Sequence, residues 1–155
     1  VTAVAARRLA ALAAAATTAW ACSAGADEML LDRFFVASRL RDRTALAPFA
    51  TVVYEPKRDG IVVRFDVVGA TAERSRQTTN DEDRRIARLS LRDAAQAANP
   101  AALPAALVER DVTVSARVRL PAGGEAQKTI VITLQRALVR GQTPRTGRWI
   151  VTGFR

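Results

Sequence analysis

Carboxylates and a single phenol are the groups with which this sequence could do acid–base chemistry. Asp32 lies near the start of an amphipathic stretch and could point into a pocket. Interaction with a helix dipole and solvation explain it as simply, together with Asp27 and Glu28. Tyr54, the only tyrosine, and Asp66 fall on neighbouring strand-like runs, where a phenol–carboxylate hydrogen bond could assist a proton transfer. A tyrosine at the rim of a core is the plainer account. Histidine is absent, which removes the usual general base, the usual zinc ligand and the relay of a serine hydrolase. The consecutive acids Asp81, Glu82 and Asp83 lack the alternating spacing of a calcium loop. Phosphate-binding glycine motifs are absent too. No metal and no cofactor is expected.

Cys22 is the only cysteine, so an internal disulfide cannot form. Its setting suggests a different chemistry. Arg7 and Arg8 precede a run, residues 9–21, of apolar, small and threonine residues, the layout of a secretory signal peptide. Ala19-Trp20-Ala21-Cys22 resembles a bacterial lipobox, in which the leader is cut before the cysteine and the thiol carries lipid. Leucine is usual where Ala19 stands, and Trp20 is bulky for its place. The expectation is a signal peptide over 1–21, lipidation at Cys22 and one domain over 22–155. Ala24-Gly25-Ala26 offers a second cleavage site before Asp27, which would discard the cysteine. The uncharged run 9–26 also reaches the lower length of a membrane span, but it is mostly alanine.

Charge adds a class of partner. There are 24 basic and 15 acidic residues, a net charge of +9, and all the basic residues except Lys57 and Lys128 are arginine. Arg64, Arg117, Arg119 and Arg136 occupy outward strand positions and, with Arg148, could form a basic face. A solvated surface is the bland reading; anionic headgroups or an acidic envelope partner are the functional ones. Interleaved aromatics of a nucleic-acid binder are missing, so no nucleic acid is expected.

The elements that must position these groups follow from hydrophobic period. Asp27 to about Arg41 reads as a helix, capped by Asp27, with Met29, Leu30, Phe34, Ala37 and Leu40 at helical spacing. Thr44–Phe49 could add a helical turn. Thr51–Tyr54 and Ile61–Val68 read as a hairpin around the turn Glu55–Gly60, with Ile61, Val63, Phe65 and Val67 on one face. Residues 71–84 read as a polar excursion, 85–98 as helix or edge strand, and 100–108 as a short helix or turn pair. Strands 111–120 and 128–138 alternate clearly about Pro121–Gly124. Residues 140–148 form a loop, and Trp149–Phe154 closes the series. Neighbouring strands joined by short links should be antiparallel.

This order, carried by DEMLLDRFFVASRL at 27–40, the long strands 111–120 and 128–139 and the closing GRWIVTGF at 147–154, resembles the NTF2-like superfamily. The resemblance implies an α+β fold, an N-terminal helix packed on a curved antiparallel sheet in an NTF2-like or cystatin-like cone. It also implies a pocket between helix and sheet. Members include isomerases and dehydratases as well as assembly modules, so fold does not decide function. The main expectation is an exported lipoprotein, a non-enzymatic binding or assembly module of the cell envelope. Its partners would be the membrane through lipidated Cys22 and an envelope protein or apolar ligand. It would sit on the periplasmic or extracellular side, at the outer membrane in a cell with two. The alternative is a small-molecule isomerase or dehydratase. That reading requires Asp32, Tyr54, Asp66 and Asp111 to converge in one cavity.

Overall fold

A computed structural model describes residues 25–92, 106–139 and 145–155. The leader and Cys22 lie outside the described residues, as do 93–105 and 140–144. The chain divides into two compact units, Val1–Arg33 and Phe34–Arg155. Residues 25–40 are helical (α1), so 25–33 belong to the first unit and 34–40 to the second. Residues 25 and 26 are already helical, and Asp27 therefore lies inside the helix rather than capping it. Among the described residues no helix is long and apolar enough to cross a membrane.

The second unit continues with α2 (Arg43–Leu46), α3 (Pro56–Asp59), β1 (Ile61–Ala70), β2 (Arg74–Gln77), α4 (Asp81–Ser90), β3 (Ala106–Arg119), β4 (Glu125–Val139), β5 (Arg145–Thr146) and β6 (Ile150–Phe154). Among the described residues these six strands form one antiparallel sheet. β3 and β4 pair without interruption from Ala106↔Leu138 to Arg119↔Glu125, joined by a turn in which Gly123 and Gly124 take positive φ. β1 and β2 share the free side of β3; β5 and β6 share the free side of β4.

The expected cone is not formed. The sheet is open, with its outer ranks unpaired to each other, and it neither closes nor curves into a cone. One reason is local. Thr51–Tyr54 is not a strand, and only Ala50 makes a single parallel bridge to Val151. Pro56 opens a helical turn in place of the expected hairpin turn, and β1 turns away to pair with β3 instead. Residues 106–108, read as helix or turn, are the first residues of β3.

Strict alternation along β3 and β4 gives the sheet two unlike faces. Val112, Val114, Ala116, Val118, Ile130, Ile132 and Leu134 are buried on one. There Phe35 of α1 meets Phe65 of β1 and Tyr54 at ring-centroid distances of 5.3 and 5.5 Å, and Tyr54 meets Phe154 of β6 at 5.2 Å. On the other face Thr113, Ser115 and Arg117 stand toward solvent, except where α4 lays Ile86 and Ala87 over Leu107 and Ala137. Helix α4 forms from a very polar sequence because its ends and flanks favour it. Asn80 caps it by accepting from the Asp83 backbone N–H at 2.8 Å, and acids fill its first turn. Arg84 and Arg85 each reach back three residues, to Asp81 and Glu82.

Candidate functional site

The groups proposed for acid–base work are separated. Asp32 is exposed in the first unit. Tyr54 is buried beside the apolar face, where its hydroxyl donates to the Asp59 carbonyl at 3.0 Å. Burial, and then the Asp59 carboxylate, raise its pKa. Asp66 lies opposite Ser115, on the polar face, and is exposed. Tyr54 and Asp66 therefore fall on opposite sides of the sheet, and the phenol–carboxylate bond does not form.

Asp111 is also on the polar face, four residues along β3 from Ser115. Its carboxylate accepts from Thr133 Oγ1 and Arg155 Nη2, each at 2.8 Å, and its backbone N–H donates to Thr71 Oγ1. Burial pushes the Asp111 carboxyl up, but the bonds from Arg155 and Thr133 outweigh it and hold the group below the usual range. An ionised carboxylate held by a cation and a hydroxyl fastens Arg155, the residue after β6, to β3. It is poorly suited to take a proton at neutral pH.

The same face carries a second ionic chain that the sequence reading passed over. Asp83 is buried, and Arg76 of β2 grips both its oxygens at 2.6 Å. Thr79 donates to it from backbone and side chain at 3.1 and 3.3 Å. Hydrogen bonding from Arg76 lowers the Asp83 pKa to about 2, against the opposing effect of burial. Arg76 also approaches Glu109 at 4.0 Å, and Glu109 accepts from Gln135 Nε2 at 2.6 Å. These bonds fasten β2 and α4 to the central strands.

The five arginines read as one basic face do not all share it. Arg64, Arg117 and Arg119 are exposed on the polar face, with Arg119 3.9 Å from Glu125. With Asp66, Ser115 and Gln127, Arg64 and Arg117 line a notch of about 130 Å³. Arg136 lies opposite Val108, on the other face. There it stacks on Trp149 at 4.4 Å and pairs with Glu73 at 2.8 Å. Arg110 stacks on the same indole, also at 4.4 Å, so Trp149 contacts two guanidinium groups. Arg148 donates to the Leu89 carbonyl.

A different arginine set surrounds the larger concavity. An open groove of about 350 Å³ runs between α4 and the segment after α2, lined by Ala47, Ala50, Arg85, Arg88, Leu89 and Arg92. The spacing 85, 88 and 89 places these residues on one side of α4, opposite the buried Ile86, Ala87 and Ser90, and Arg92 follows two residues past its end. Ser90 fixes that orientation, since its hydroxyl donates to the Arg148 carbonyl at 2.7 Å and accepts from the Ala137 N–H at 2.9 Å. Arg85 is held by Glu82 at 3.4 Å; Arg88 and Arg92 have no side-chain partner among the described residues. The signal for this helix was Asn80, a favoured N-cap residue, followed by the acids Asp81, Glu82 and Asp83 in the first turn.

Among the described residues no three acidic, histidine or cysteine side chains gather as a metal site. No family model, no curated protein and no solved structure matches the chain.

Proposed function

We propose that this chain is a non-enzymatic binding module of the bacterial cell envelope, exported and anchored through lipid on Cys22, that holds an anionic headgroup beside α4. The observation that carries the reading is the groove. Arg85, Arg88 and Arg92 line it together with Ala47, Ala50 and Leu89, and the side chains of Arg88 and Arg92 are not engaged by any described residue. Guanidinium donors suit the planar, bidentate recognition of phosphate. Tyr54, Asp66 and Asp111, by contrast, are distributed over two faces, and Tyr54 and Asp111 are bound into the fold. The anchoring part rests on Arg7-Arg8, the apolar run 9–21 and the lipobox-like Ala19–Cys22.

The test is vesicle sedimentation of the full chain carrying Cys22→Ser, with phosphatidylglycerol or phosphatidylcholine vesicles over a salt series. Preference for the anionic vesicles should fall steeply with salt. Each arginine near such a surface is worth about 1 kcal/mol, so R88E/R92E should weaken that preference roughly 30-fold or more. Equal binding to both vesicles, or an unaffected double variant, overturns the groove as the binding site.

A further inference from the structure

β1 is an outer rank of the sheet. β3 occupies its inner edge, and no strand among the described residues pairs with its outer edge. Such an edge offers a row of backbone donors and acceptors to another strand. Register with β3 shifts at Val63 and again at Val68, and these two valines are 48% and 59% exposed. Between the shifts, Arg64 to Val67 run in unbroken register opposite Arg117 to Val114.

The sequence of this edge is complementary to itself. Val62-Val63-Arg64-Phe65-Asp66-Val67-Val68 reads the same in both directions about Phe65, except that the charge changes sign. In an antiparallel pair of identical strands centred on Phe65, Arg64 stands opposite Asp66 of the second copy, and Asp66 opposite its Arg64. Arg64 and Asp66 share the polar face, so the pairing keeps polar face beside polar face. Val62 and Val63 come opposite Val68 and Val67. Sliding by the smallest step that preserves the faces sets Arg64 against Arg64, or Asp66 against Asp66. Both registers place like charges directly opposite. The two side chains are 77% and 67% exposed and only 3.8 Å apart within one chain, so neither must leave a buried partner to turn outward. Charges on an edge strand ordinarily discourage pairing with foreign strands. Here their order discourages other sequences and other registers while matching a copy of the same strand.

We propose that a second copy of this chain pairs antiparallel along β1, with the two-fold axis at Phe65, to give a homodimer in which one sheet runs through both copies. The contact is isologous, since each copy supplies the same two charges to the other. This proposal rests on β1 alone and is independent of the groove and the anchor.

The test is sedimentation equilibrium of the full chain in mild detergent, with R64D, D66R and the doubly exchanged R64D/D66R. Both positions are exposed, and circular dichroism checks that each variant is folded. The wild type should dimerise reversibly. Each single variant should raise the dissociation constant roughly tenfold or more, because two attractive pairs become two repulsive ones. An equimolar mixture of R64D with D66R should recover the dimer mass as a heterodimer, and the doubly exchanged chain should self-associate like the wild type. A monomeric wild type at millimolar concentration, single variants that dimerise as the wild type does, or a mixture that stays monomeric overturns the proposal.

Discussion

Replacing Asp83 by asparagine should uncouple β2 from α4 in a manner that depends on pH. The carboxylate is nearly inaccessible, accepts both Arg76 bonds at 2.6 Å and takes two more from Thr79. Its pKa falls from the ordinary 3.8 to about 2 in the folded chain. A depressed carboxylate pKa contributes stability that is present above the unfolded value and lost as pH falls through the folded one. The shift corresponds to about 2 kcal/mol at neutral pH, and the half-exposed Arg76 brings this toward about 1 kcal/mol. Asparagine keeps the shape but leaves the guanidinium facing a neutral amide. In urea unfolding at pH 7, Asp83→Asn should be less stable than the wild type by about 1–2 kcal/mol. The gap should narrow between pH 5 and pH 2 as the wild type loses its charge. A variant as stable as the wild type at pH 7 would refute the reasoning, as would a gap that is the same at pH 2 and pH 7.

Two further substitutions, with a third as control, test how the elements are fastened. Ser90→Ala leaves the Ala137 N–H and the Arg148 carbonyl without the hydroxyl that joins them, so thermal or urea unfolding should show a loss of about 1–3 kcal/mol. Gly60 has φ of 95°, and a Cβ there would stand 2.6 Å from Val118 Cγ1 and 2.7 Å from the Arg119 carbonyl oxygen. Gly60→Ala should therefore destabilise by about 2–4 kcal/mol, whereas Gly69→Ala, with open space around its Cβ, should change unfolding far less.

The long strands were legible because alternating β-branched residues around Pro121–Gly124 specify both period and turn. The ends of those strands were not. Residues 106–108 read as helical because alanine and leucine dominate there, and pairing with β4 overrides that propensity. Arg74–Gln77 carries no hydrophobe at all. It pairs with β3, where Arg74 meets Glu109, and Arg76 is held by Asp83 at the start of α4; neither ion pair leaves a periodic mark in the sequence. Ile61–Val68 showed its strand period, but the register shift between Val62 and Arg64 breaks the strict alternation that had put Ile61 and Val63 on the inner face with Phe65, leaving Ile61 opposite Arg119 and Val63 exposed. The same distance problem governed the candidate site. Tyr54 and Asp66 looked adjacent because a hairpin was expected, and they separated once β1 paired with β3 instead. The groove arginines went unseen because 85–98 could be read as a helix with Ile86, Leu89 and Leu91 on one face or as an edge strand over Arg85–Leu91.

We propose a chain held at the envelope through Cys22 that binds an anionic headgroup. A native mass spectrum of the protein extracted from its own host in mild detergent tests this most directly. The account predicts a lipid-modified chain beginning at Cys22, with bound anionic phospholipid that leaves when salt is raised. An unmodified chain beginning at Asp27, with nothing bound, would contradict it.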